Sequence, residues 1–185
     1  MTDPEAARAV PAAVVRHALF DTALGVCGIA WTAAGVCRVA LPGASAERTA
    51  AHLGGAAAPP PASIRRVIDG VSRLLAGEAV DLSWVPLDLS QVNAFGRRVY
   101  ELTRDIPPGS TISYGELAAR LGQPGAARAV GRALGENPCP IVVPCHRVLA
   151  ADGSMHGFSA PGGLATKRRM LQLEGALAPD PPTLF

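Results

Sequence analysis

Three short apolar runs, at residues 14–20, 26–31 and 36–40, alternate with the turn-rich breaks 21–25 and 32–35. Val-rich runs of this length, separated by Gly-containing breaks, predict a three-stranded antiparallel meander. Residues 45–53 predict a short helix. The stretch 54–61 ends in three consecutive prolines, which cannot continue a helix, and reads as a loop. Apolar residues at 64, 67, 68, 71, 74 and 75 form a helical stripe that ends at Gly77. Residues 82–87 fit either another strand or an extended linker.

Beyond Val92 the pattern turns helical. Residues 95–102 form an amphipathic helix stopped by Ile106-Pro-Pro-Gly109. Residues 113–121 predict a second helix with Ser113 as N-cap and Glu116 at the capping-box position. A tight turn at 122–125 leads into a third helix at 126–134, and the pair has the outline of a helix-turn-helix. Residues 141–143 are a buried apolar run, 150–163 a Gly-rich loop, and 166–173 a last helix. The expected class is α/β (α+β): a small N-terminal antiparallel-sheet domain over 1–88, a linker at 89–93, a mostly helical domain at 94–175 and a flexible tail at 176–185.

Composition narrows the function classes. Of 185 residues 49% are hydrophobic, which excludes a wholly disordered chain. The net charge of +2 is uneven: residues 1–91 carry −1 and residues 92–175 carry +4, which suits a polyanionic partner of the second half. All basic residues but Lys167 are arginine. No run of apolar residues is long enough to span a membrane, and the acidic start Met1-Thr-Asp-Pro-Glu5 does not resemble a signal peptide. Four cysteines (27, 37, 139, 145) without a secretion signal imply free thiols and a cytoplasmic location.

The densest chemistry is Asn137-Pro-Cys-Pro-Ile-Val-Val-Pro-Cys-His-Arg-Val148. Pro144 turns the chain after a core-anchored run and presents Cys145, whose thiol needs a base to react; His146 is the candidate. Spacing does not say which carboxylate orients it. Zinc at Cys139, Cys145 and His146 is the weaker alternative, because the short paired spacing of zinc sites is missing.

Pro144-Cys-His-Arg-Val148 resembles the active-site signature of the O6-alkylguanine-DNA alkyltransferases, the methylated-DNA–protein-cysteine methyltransferases. The likeness extends to Thr111-Ile-Ser-Tyr-Gly-Glu-Leu-Ala118, Ala126-Ala-Arg-Ala-Val-Gly131, Asn137-Pro138 and the block Gly162-Gly-Leu…Lys167…Leu171…Glu174-Gly175. It covers about residues 95–175 in register; the N-terminal domain is similar in outline only, ribonuclease-H-like in that family.

The resemblance implies suicide repair, with the alkyl group of O6-alkylguanine (less readily O4-alkylthymine) moving to Cys145. His146 would take the thiol proton through a water, Glu174 would orient His146, and Asn137 would tie the turn. Tyr114 would donate to guanine N3. The carbonyls of Cys145 and Val148 would accept from the guanine amine, and Ser159 would donate to O6. Arg128 would enter the vacated base position, while the small Ala126, Ala127, Ala129 and Gly131 approach the minor groove and read no base edges.

The expected partner is double-stranded DNA, bound by a monomer with little sequence preference; cooperativity is left open. No cofactor and no metal are expected, since Cys27, Cys37, His17 and His52 do not match the structural zinc of some relatives. Phe158 stands where tyrosine is frequent, and Ala160-Pro161 lengthen the loop that shapes the pocket. Three rivals are weaker. A non-catalytic lesion binder would lack Cys145, a transcription regulator would need base-reading side chains, and a thiol hydrolase would not need Arg128.

Overall fold

The computed structural model describes residues 13–179. Strands β1 (Arg16–Thr22), β2 (Gly25–Thr32) and β3 (Gly35–Ala40) form the expected antiparallel meander. β1 begins later than its apolar run, because Val14 lies 71% exposed ahead of it. β2 is buried on both faces. Ile29 and Trp31 enter the main core, whereas Ala30 joins Ala40 and Leu53 beneath the first helix. Such double burial explains a continuous apolar run in place of alternation.

That helix, α1 (Ala46–Leu53), starts where the Ser45 side chain accepts the Arg48 amide. After it, β4 (Ala56–Ala57) pairs in parallel with β1, giving the order β3-β2-β1-β4. Two exposed alanines carry no strand signal, so the sequence pattern placed a loop there. Backbone bonds from Ala56 to Val15 and from Ala58 to His17 create the strand. Helix α2 (Ala62–Leu75) buries Ile64, Val67, Val71, Leu74 and Leu75, the predicted stripe.

Residues 82–87 take the linker alternative. They run along β3 with one parallel bridge, Val36 to Leu87, and the Val36 amide donates to Pro86 at 2.9 Å. Gly35 allows this approach: at φ +148° it has no Cβ, which would lie 2.4 Å from the Pro86 carbonyl. Arg104 fixes the same segment by donating to the carbonyls of Ser83 and Val85.

The helical half comprises α3 (Ala94–Arg104), α4 (Tyr114–Arg120), α5 (Ala127–Gly135) and α6 (Gly163–Leu173). Asn93 caps α3, and the Ser113–Glu116 capping box opens α4 as expected. β5 (Ile112–Ser113) and β6 (Val148–Leu149) form a two-stranded parallel sheet that ties the entry of α4 to the residues after Cys145. α6 starts at Gly163, ahead of the expected Thr166, with Gly162 in the left-handed conformation at its cap. The first tail residues fold back, since the Ala176 and Leu177 amides both donate to Leu171. Residues 180–185, like the acidic start of the chain, lie outside the described residues.

One buried cluster runs from Cys27 through Val99, Leu117 and Val143 to Met170, so sheet and helices share a core. The Val39 amide donates to Pro138 at 2.9 Å, fixing the sheet edge against the loop after α5. Among the described residues no helix is long and apolar enough to cross a membrane.

Candidate active site

The loop after α5 carries the reactive thiol, and Asn137 holds it closed. Its Oδ1 accepts the Cys139 amide and its Nδ2 donates to the Val143 carbonyl, both at 2.9 Å. Only an amide side chain supplies a donor and an acceptor in this way. Between those anchors Ile141 sits at φ +76°, a costly conformation for a β-branched residue. Pro144, at φ −80° and ψ 63°, centres an inverse γ-turn closed by the Cys145 amide donating to Val143 at 2.8 Å. Cys145 thus opens a one-turn 3-10 helix, Cys145–Arg147, at the end of a core-anchored run.

His146 is fully buried, and its Nε2 lies 2.9 Å from Glu174 Oε1. Glu174 is the C-cap residue of α6 and its side chain is 2% exposed, so it is no surface glutamate. Burial alone would raise its carboxyl. Hydrogen bonds and charge from His146 and Arg147 instead bring it down to about 2. An ionised carboxylate only accepts, so Nε2 carries the imidazole proton and Nδ1 keeps a lone pair. That Nδ1 is buried and has no protein partner.

Burial holds His146 below its ordinary value and pushes the Cys145 thiol up. The Asn137 side chain and the Lys167 ammonium act against burial on Cys145. At rest the pair is therefore neutral thiol and neutral imidazole.

Cys145 borders an open cleft of about 660 Å³ formed by α4, α5 and the 156–159 loop. Tyr114, Ala127, Arg128, Gly131, Phe158 and Ser159 also line it. Tyr114 is half-buried and burial raises its phenol, keeping it a proton donor. A Cβ on Gly131 would reach only ordinary contact with the Tyr114 ring, at 3.9 Å. Ala127 and Gly131 line this cleft and Ala126 and Ala129 do not; Ala126 packs on the core. Ser159 departs from the expected geometry, because its hydroxyl donates to the Gly135 carbonyl at 2.7 Å. The Val148 carbonyl accepts a hydrogen bond from the Lys167 ammonium at 2.8 Å. Cys37 is half-buried and packs against the Ala30, Ala40 and Leu53 cluster, whereas Cys27 is fully buried. No group of three or more metal-ligating side chains occurs among the described residues.

Two residues of the site figure in the sequence only as motif positions, without a role. Arg147 clamps Glu174 with two bonds of 2.8 Å. Lys167 is buried behind the cleft, with its ammonium 5.9 Å from the centre of the Tyr114 ring.

Comparison with known proteins places the chain in a family. The family model of the 6-O-methylguanine DNA methyltransferase DNA-binding domain matches residues 94–176. The methylated-DNA–protein-cysteine methyltransferase of Mycobacterium tuberculosis is 45% identical over 127 residues, 69% of this chain and 74% of its own length. The crystal structure of the M. tuberculosis O6-methylguanine methyltransferase matches with a TM-score of 0.72 at 36% identity, covering 92% of this chain and 98% of that one. A structure of the M. tuberculosis protein in complex with DNA matches with a TM-score of 0.70 at 35% identity, covering 89% and 96%. With a shared fold, a matched domain and this degree of identity, the chain belongs to the methylated-DNA–protein-cysteine methyltransferase family.

Proposed function

We propose that this protein repairs duplex DNA by moving the alkyl group of O6-alkylguanine to Cys145, once per molecule. The observation that carries the reading is the placement of Cys145 between an open cleft and a buried His146–Glu174 pair. The thiol proton passes to Nδ1 of His146, through a water, as Sγ attacks the alkyl carbon. The Sγ–C bond forms, the C–O6 bond breaks, and the departing guanine takes a proton donated by Tyr114 at N3. The ionised Glu174 stabilises the imidazolium that results. Asn137 holds the loop that presents the thiol. The carbonyls of Cys145 and Val148 receive the guanine amine, and Ser159 reaches O6 only after leaving Gly135. Phe158 forms a wall of the base pocket.

A base inside a duplex is out of reach, so the nucleotide must leave the stack at a cost of about a few kcal/mol. Arg128, exposed on α5 at the cleft, fills the vacated place. The small residues Ala127 and Gly131, which line the cleft, let α5 enter a minor groove only about 6 Å wide without reading base edges. The protein acts as a monomer in the cytoplasm. Incubation with free O6-benzylguanine, followed by peptide mapping, tests the chemistry: a benzyl group on Cys145 supports it, and an unmodified Cys145 overturns it.

A further inference from the structure

A second cleft, of about 620 Å³, also reaches Cys145, and its far wall belongs to the N-terminal sheet domain. Phe158 and Ser159 border both clefts, so Cys145 stands where the two meet. Pro140 and Phe158 make the near walls apolar. Arg38 of β3 and Arg48 and His52 of α1 make the far side basic, against a single acid, Glu136. Arg38 donates once, to the His52 carbonyl at 2.8 Å. Among the described residues neither arginine is in an ion pair with a carboxylate. The Val39 amide bound to Pro138 holds this basic edge against the active-site loop.

We propose that the second cleft is a subsite for the distal part of the alkyl group, and that Arg38 and Arg48 select bulky O6-alkyl groups ending in an anion. The inference rests on alkyl transfer to Cys145. Guanine enters from the α5 side, and in-line attack by Sγ fixes only the reacting carbon. Substituents on that carbon then extend past Pro140 and Phe158 towards the arginines. The transfer itself is unchanged: the carboxylate of such a substrate takes no part in bond making and only pairs with the guanidinium groups.

The test compares alkylation rates of the full-length protein with three free bases: O6-benzylguanine, its para-carboxybenzyl analogue, and the para-carbamoylbenzyl analogue of similar shape without the charge. The carboxylate should react about fivefold faster than the carbamoyl compound, the size of a partly exposed ion pair. High salt should shrink that ratio. In Arg38→Ala/Arg48→Ala the ratio should fall to near one, with the loss confined to the carboxylate. A ratio near one in the wild type, or one unchanged by the double substitution, overturns the proposal. If the double substitution leaves the ratio intact and weakens binding to undamaged duplex, the arginines hold a DNA phosphate instead. Failure of all three bases while O6-methylguanine in duplex DNA still methylates Cys145 overturns the subsite; failure of that substrate as well refutes the underlying transfer reaction.

Discussion

Arg147 and Glu174 meet through two parallel bonds of 2.8 Å, Nε to Oε2 and Nη2 to Oε1, at a site where both side chains are buried. The third guanidinium nitrogen, Nη1, donates to the Ile106 carbonyl, so the cation is tied to the loop after α3. A carboxylate at the C-terminal end of α6 is opposed by the helix dipole, and burial opposes its charge as well. Arg147 offsets both. Burial is the main cause that keeps the imidazole beside Glu174 a neutral base, and the Arg147 charge adds to it.

Removing one partner of such a pair strands the other charge. Arg147→Ala is expected to cost about 3–5 kcal/mol, read from urea unfolding. Arg147→Lys should restore only part of this, because an ammonium cannot make the paired bonds. Equal stability of the alanine variant and the wild type would show that the pair contributes nothing.

Acid should destabilise the protein in two steps of the same sign. His146 has a lowered folded value, so below the ordinary 6.5 an unfolded imidazole takes up a proton that the folded one refuses. Glu174 is held at about 2 against an ordinary 4.5, so its contribution is present above 4.5 and lost as pH falls towards 2. Unfolding free energy measured from pH 7 to 3 should fall throughout. In Glu174→Gln the low-pH part of that fall should shrink, leaving the share of other carboxylates held low by hydrogen bonds, such as Asp81 and Asp88, and Cys145 alkylation by a soluble alkylguanine should slow and need higher pH. Superimposable pH–rate profiles would mean that Glu174 does not assist His146.

Asn137→Ala should leave the Cys139 amide and Val143 carbonyl without their shared partner, costing roughly 1–3 kcal/mol. Since Ile141 depends on this closure to keep its left-handed backbone, the alkylation rate should fall together with stability. Asn137→Asp should be no rescue, because it cannot donate to Val143. A fully active alanine variant would show that the loop closes without the side chain.

Arg128→Ala should weaken repair of duplex substrate far more than reaction with free O6-benzylguanine, since Arg128 lines the cleft and bonds to none of the reacting groups. Equal losses with both substrates would assign Arg128 to the pocket itself.

Much of this architecture was legible in the sequence, for identifiable reasons. The stripe at Ile64–Leu75 and the Ser113–Glu116 box are local signals, and local structure obeyed them. Asn137, Cys145 and His146 lie within twelve residues of one another and were read from a single segment. What stayed hidden depends on distance in sequence or on backbone alone. β4 is two alanines recruited by main-chain bonds to β1. Arg147 looked like one motif residue among five until α6 brought Glu174, 27 positions away, against it. The hydroxyl of Ser159, read as a donor to O6, donates here to a carbonyl 24 positions earlier, which no local pattern announces.

The most direct measurement is the intact mass of the protein after incubation with duplex DNA containing O6-methylguanine, with the modified peptide then mapped. One methyl should replace one thiol hydrogen on Cys145 and no other cysteine, saturating at one equivalent, while Cys145→Ser binds the duplex and gains nothing. Methylation of Cys139, whose thiol burial pushes up to about 12, or repair of several equivalents per molecule, would contradict single transfer to Cys145.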